Sequence, residues 1–142
     1  MRRISVKCEI KASRDKIYDL FWDIKRWSSI WNPIEKVSVT SDNGVKQEFL
    51  MDVWRNGQCE KIKTIRYKKN SNIEFHSPTP PPMLSFHSGE WNFYSNGDVT
   101  TVESVRYFEM KDNTNDIATL AFENDFKERI YLILKKFKEH FE

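Results

Sequence analysis

The sequence predicts an α+β protein: a curved antiparallel sheet of six or seven strands wrapped round one long C-terminal helix, with two short helices after the first strand and a central cavity. Three observations lead there. Apolar residues recur with period two from Ile4 to Ile10 and again over most of the stretch from Val37 to Met110, as half-buried strands require. From about Asn115 the period changes to three or four and holds to Phe141, as in an amphipathic helix. Ten Phe, five Trp and five Tyr then supply ring surface that must be hidden or must face a ligand.

The elements follow in order. Ile4, Val6, Cys8 and Ile10 alternate with polar residues, giving a strand over about Arg3 to Ile10. Ser13 stands as an N-cap before Arg14-Asp15-Lys16, and Ile17, Leu20, Phe21 and Ile24 follow at helical spacing, so a helix runs from about Arg14 to Asp23. Trp27-Ser28-Ser29-Ile30-Trp31 reads as a second helix of one or two turns, ended by Pro33. Val37 and Val39 then lead to Asn43-Gly44, a hairpin signal, with Val45 to Val53 as the partner strand. Arg55-Asn56-Gly57 turns into a strand from Gln58 to Tyr67, and Lys68 to Asn72 is a polar turn. Ile73 to His76 is a short strand, after which Pro78-Thr79-Pro80-Pro81-Pro82 removes ladder donors and forces an irregular crossing. Ser85 to Tyr94, a turn at Ser95-Asn96-Gly97-Asp98, and Val99 to Met110 make a long antiparallel pair. Ile117, Leu120, Ala121, Phe126, Ile130, Ile133, Leu134, Phe137 and Phe141 form the apolar stripe of the last helix.

Composition narrows the function. With 23 Lys and Arg against 21 Asp and Glu the formal charge is +2, far from the basic excess that phosphate neutralisation needs, so nucleic acid is not an expected partner. No stretch approaches the roughly 18 apolar residues of a membrane span, and the alternating start does not read as a secretion signal; a cytoplasmic location is expected. Cys8 and Cys59 lie far apart in no metal or nucleophile pattern and read as reduced thiols. At 142 residues, with no composition break, a single domain over 1–142 is the expectation. One long helix laid across a curved sheet leaves a hollow, the usual place for a small ligand.

The Asp23-Ile24-Lys25-Arg26-Trp27 segment, the Thr64-Ile65-Arg66 triplet, Met83, Trp91-Asn92-Phe93 and the run Phe108-Glu109-Met110-Lys111 carry a resemblance that spans Ile4 to Phe141. Together with the element order they resemble the helix-grip fold of the birch-allergen and START-like (SRPBCC) superfamily, and within it the polyketide cyclase/dehydrase branch, the aromatase/cyclases. The resemblance implies intramolecular aldol closure and dehydration of a poly-β-keto chain on an acyl carrier protein, without a cofactor, by a monomer or homodimer. In such proteins the residue matching Arg66 binds and polarises the carbonyls, and the one matching Thr64 is a hydroxyl donor. Ile34 stands near where the better-known members carry a tyrosine, which leaves the dehydration to Tyr67, Tyr107 or a water.

Alternation puts Glu60, Ile62, Thr64 and Arg66 on one sheet face and Lys61, Lys63, Ile65 and Tyr67 on the other. If the first face is concave, Arg66 and Thr64 stabilise an oxyanion and Glu60 is the nearest base; if not, Arg66 is one more solvated cation on a lysine-rich strand. Trp27, Trp31, Phe49, Ile62, Met83, His87, Trp91 and Phe93 are the candidate ligand-lining residues, each ring being readable equally as core. Glu90, His76 and His87 lie near the proline loop, an entrance candidate; the echoed Phe75-His76-Ser77 and Phe86-His87-Ser88 could bring two histidines together, but no metal is expected from so sparse a set. Lys25, Arg26, Lys61, Lys63, Lys68 and Lys69 are either a patch for an acidic carrier protein or scattered solvated lysines. The alternatives to a cyclase are a non-catalytic carrier of a lipid, quinone or other apolar metabolite, and a chaperone-regulating interaction domain.

Overall fold

A computed structural model describes residues 1–142. Strand β1 (Arg2–Ile10) leads to helix α1 (Arg14–Trp22), a 3₁₀ turn (Ile24–Arg26) and the single-turn helix α2 (Trp27–Ile30). Strands β2 (Ile34–Asp42), β3 (Lys46–Arg55), β4 (Gln58–Lys68), β5 (Asn72–Thr79), β6 (Leu84–Asn96) and β7 (Val99–Met110) follow, and helix α3 (Asp116–Phe141) ends the chain. The seven strands form one antiparallel sheet in the order β1-β7-β6-β5-β4-β3-β2, so the N-terminal strand closes on the last one.

Local chemistry explains the boundaries. The Ser13 side chain accepts the Lys16 N–H at 3.4 Å and opens α1, which buries Ile17, Tyr18, Leu20 and Phe21. Asn43 Oδ1 accepts from the Val45 and Lys46 amides across the β2–β3 hairpin, while Asn56 and Gly57, both at positive φ, turn β3 into β4. Asn115 Oδ1 caps α3 by accepting the Ala118 N–H at 2.8 Å.

Two expectations need correction. The proline-rich segment is less irregular than its composition suggests: β5 runs on through Pro78, and Thr79 pairs with Lys63 after a bulge in β5, where Ser77 and Pro78 stand against Thr64 alone. On α3 the inner stripe is Thr119, Phe126, Ile130, Leu134 and Phe137, so Ile117 and Leu120 turn away from it and stand 83% and 54% exposed. Their spacing is helical but out of phase with the four aromatic and aliphatic residues that meet the sheet.

The interior divides into a solid end and a hollow one. Helix α3 packs mainly on β1, with further contacts to β7 and α2, and makes little or no close backbone contact with β3 to β5. Phe21, Trp27, Trp91, Phe93 and Phe137 fill the solid end, with Phe21 stacked on Phe137 at 4.0 Å between centroids. Gly89 in β6 permits the close packing at the junction. A Cβ there would run into the Val105 carbonyl and stand 2.7 Å from Phe75 Cζ and 3.0 Å from Arg106 Cδ. Gly89→Ala is therefore expected to lower stability by about 1–3 kcal/mol in urea unfolding, since backbone and an aromatic ring must both move; an unchanged midpoint would contradict this packing.

Candidate functional site

A cavity of about 140 Å³ lies between α3 and strands β3 to β6, and 13 of its 21 lining residues are hydrophobic, so it suits an apolar body. Trp27, Trp31, Phe49, Ile62, Thr64, Arg66, His87 and Trp91 all line it, together with Ile34. Met83 does not: it lies beyond the proline segment and is 45% exposed. Phe93 belongs to the solid aromatic end, 2% exposed and outside the lining. Trp31, Met51, Arg55, Ile62, Thr64, Arg129 and Ile133 keep partial exposure and mark the open side, between β3–β4 and the middle of α3.

Arg66 points inward, as the concave orientation requires, but its donors are engaged by the protein itself. Its Nε donates to Gln47 Oε1 at 2.9 Å, Nη1 to the Phe21 carbonyl at 2.8 Å and Nη2 to the Trp22 carbonyl at 2.7 Å. Those carbonyls close α1, where a helix leaves acceptors unmatched and carries partial negative charge. Trp22, Trp27 and Phe49 surround the guanidinium at 5.1–5.9 Å from its carbon to their ring centroids. Burial lowers its pKa to about 9, with Asp42 and Tyr18 acting in the opposite sense, so it is charged at neutral pH. Thr64 retains a free hydroxyl at the wall. Glu60 is not a lining residue; it pairs with Arg55 at 3.4 Å from Nε to Oε1.

A second buried arginine is placed differently. Arg106, from the inward face of β7, is 8% exposed and lies over Phe75 at 4.7 Å, Trp91 at 4.9 Å and Phe126 at 5.6 Å. Its Nε donates to Ser104 Oγ at 2.8 Å, and its Nη1 meets His87 Nε2 at 3.4 Å; no carboxylate pairs with it. Burial first, and Arg55 second, lower its pKa to about 9. His87 completes the cluster, with Nδ1 3.5 Å from Ser77 Oγ. Since arginine only donates, His87 Nε2 is the acceptor and Nδ1 carries the proton. Burial first, then Arg106 and Arg55, push the His87 pKa down to about 3, so the imidazole is neutral.

The histidine echo does not make a pair. His76 stands opposite Ser88 in the β5–β6 register, which puts it on the face opposite His87, and it stacks on Tyr67 on the outer surface. Tyr67, Tyr107 and Glu90 share that outer depression with it, remote from the cavity lining. No three metal-ligating side chains come together. Both cysteines are free thiols, and no helix is long and apolar enough to cross a membrane. Of the six basic patch candidates, Lys68 lies over the Tyr18 and Trp22 rings, Lys69 pairs with Glu74 at 3.9 Å, Lys63 is half-buried, and Lys25, Arg26 and Lys61 are exposed.

Arg106, Ser77, Arg55 and Arg129 are the polar lining residues that sequence reasoning missed. A signal for Arg106 was present: it shares strand parity with Val102 and Phe108, both fully buried, so a charged residue stood on an apolar face.

Residues 10–139 match the family described as polyketide cyclase / dehydrase and lipid transport. Among solved structures, the chain is similar to the di-domain ARO/CYC StfQ of the steffimycin biosynthetic pathway, with TM-score 0.86 and 14% identity over 96% of this chain and 50% of that one. It is similar also to the Zhui aromatase/cyclase from Streptomyces sp. R1128, with TM-score 0.78 and 15% identity over 95% and 93% of the two chains. A STAR-related lipid transfer protein from Xanthomonas axonopodis gives TM-score 0.79 and 12% identity over 99% and 86%. Among curated proteins no match is found.

A neutral buried His87 has a thermodynamic consequence. Its folded pKa, about 3, lies below its ordinary 6.5, so between those values the unfolded chain binds a proton that the folded one refuses, and stability falls as pH drops through that window. The slope from this group approaches ~1.4 kcal/mol per pH unit. Urea unfolding from pH 7 to 4 is expected to show a shallower decline in His87→Gln than in the parent; parallel curves would mean that His87 is protonated in the fold.

Proposed function

The chain belongs to the polyketide cyclase/dehydrase and lipid transport family, and from that premise we propose that it acts as one domain, holding a poly-β-carbonyl chain in its cavity and promoting ring closure by aldol condensation at Arg106 and His87. The observation that carries this reading is a buried guanidinium without a carboxylate, hydrogen-bonded to a neutral imidazole in the wall of an apolar cavity. An arginine so placed is costly alone and is stabilised by a substrate oxygen that gains negative charge.

The chemistry needs two things from the protein. A methylene between two carbonyls must lose a proton, and the enolate oxygen must be held. Arg106 offers N–H donors to that oxygen, and as Nη1 turns from His87 Nε2 to the oxygen it frees the Nε2 lone pair to act as the base. The two are coupled electrostatically: burial first and Arg106 second hold the imidazole neutral in the free protein, and an enolate charge developing beside Arg106 offsets the repulsion from Arg106 as His87 takes the proton. The enolate carbon then attacks a second carbonyl of the same chain, and the resulting alkoxide recovers the proton from His87. Loss of water follows as His87 takes a second proton from the ring carbon and delivers it to the departing hydroxyl, which leaves as water. The cavity's 140 Å³ is close to the ~150 Å³ in which a single benzene ring is accommodated, so it shapes one ring at a time while the rest of the chain extends through the open side. A tethered substrate of this kind implies an acyl carrier protein as the donor.

Arg66 and Thr64 keep a supporting role here, Thr64 as a hydroxyl donor at the wall and Arg66 by anchoring the end of α1 beside the lining residues Trp27 and Phe49. A second reading, carriage of an apolar molecule without turnover, is favoured by the hydrophobic share of the lining. Product analysis with a thioester-bound poly-β-ketone separates the two. Arg106→Met and His87→Gln are each expected to slow ring closure by about 100-fold or more while the fold is retained. Unchanged rates and regiochemistry in both would set the cyclase aside, and an intact apolar guest extracted from the purified protein would then favour carriage.

A further inference from the structure

The charges around the cavity do not balance. Arg55, Arg66, Arg106 and Arg129 line it, and no Asp or Glu does. Arg66 is satisfied by three protein oxygens, and Arg106 is matched by the carbonyl end of the ligand in the reading above. Arg55 and Glu60 meet only as charges at 3.4 Å, for both Arg55 Nε and Glu60 Oε2 are buried without a hydrogen bond. Arg129 has no acidic partner, and its Nη1 is likewise buried and unpartnered. Buried N–H groups are seldom left so, because each carries the full cost of lost hydration.

These two arginines face the same opening from opposite sides. Arg55 ends β3 at the turn into β4, and Arg129 sits in the middle of α3, both among the partly exposed lining residues. Asp125, one turn before Arg129, also reaches Arg55 electrostatically, raising a pKa that burial lowers, which brings the β3–β4 turn into the neighbourhood of this part of α3. Two guanidinium groups lining one apolar hollow, Arg129 without an acidic partner and Arg55 paired only as a charge with Glu60, make a receptor for a planar, two-oxygen anion.

We infer that the opening is an anion subsite in which Arg129 and Arg55 hold a carboxylate at one end of a ligand whose carbonyl lies at Arg106, so that among small untethered ligands the protein holds keto acids more tightly than neutral ketones. The inference rests on the cyclase reading only for the carbonyl end; the carboxylate end stands on Arg55 and Arg129.

Calorimetric titration with 4-acetylbenzoate and with its neutral isostere 4-acetylbenzamide tests it. Each probe has one ring, a ketone and, at the opposite end, a charged or an uncharged group. The unmodified protein is expected to bind the anion at least ten times more tightly, and Arg129→Gln to bring that ratio near one while leaving the amide's affinity unchanged. The doubly substituted Arg55→Gln, Glu60→Gln chain should reduce the ratio in the same way, with thermal melts confirming both folds. Equal affinities in the unmodified protein, binding of neither probe, or a preference that survives Arg129→Gln would each overturn the subsite. If ring closure of a neutral thioester depends on Arg106 but the anion preference is absent, only the subsite fails. If the preference is present and no ring closure occurs, only the cyclase reading fails.

Discussion

Helix α1 is short, and its end lies over the curved sheet rather than in solvent. Its last carbonyls, those of Phe21 and Trp22, therefore need donors from inside the protein, and the Arg66 guanidinium supplies them from β4 while Gln47 on β3 supplies one more to Trp22 at 3.1 Å. Gln47 and Arg66 are register partners across β3 and β4, so the same pair that joins the strands also anchors the helix. The aromatic end of the interior is built on this anchor. Phe21 lies next to the carbonyls it fixes, and Phe21 in turn stacks on Phe137 of α3 and tilts against Trp91 of β6.

From that anchor the cavity follows. With α1 and α2 held against one end of the sheet and α3 packed mainly along β1, the space between α3 and β3 to β5 has no element to fill it. The walls are large rings, which keep their shape because each is braced by others. Into this hollow project two buried arginines in opposite conditions. Arg66 has acceptors for its donors and Asp42 nearby to favour its charge; Arg106 has a serine, a neutral histidine and the repulsion of Arg55. One guanidinium holds the protein together, and the other is left in want of an oxygen.

Much of this was legible from residue order. Strand parity at Glu60-Lys61-Ile62-Lys63-Thr64-Ile65-Arg66 correctly separates the inward from the outward face, and Asn43-Gly44 and Asn56-Gly57 fix two of the hairpins. The family resemblance agrees with the matched residues 10–139. What sequence could not supply was partnership. Nothing local says that the donors of Arg66 end on the carbonyls of residues 21 and 22, some 45 positions earlier, because that contact exists only once α1 is laid over the sheet. The same holds for Arg106 and His87, which meet through adjacent strands, and for Met83 and Phe93, whose distance from the cavity depends on where the proline segment and the aromatic cluster fall. The phase of α3 was misjudged at Ile117 and Leu120 because helical spacing alone does not say which of two apolar rows meets the sheet.

The division between the two arginines is tested most directly by urea unfolding of Arg66→Met beside Arg106→Met at neutral pH. Removing Arg66 breaks three buried hydrogen bonds and leaves Gln47 Oε1 without a donor, while the Phe21 and Trp22 carbonyls keep Trp27 Nε1 and Gln47 Nε2; it should lower stability by ~3 kcal/mol, whereas removing an unpaired buried cation should leave it unchanged or raise it by ~1 kcal/mol. The reverse order, with Arg106 the costlier loss, would contradict the account.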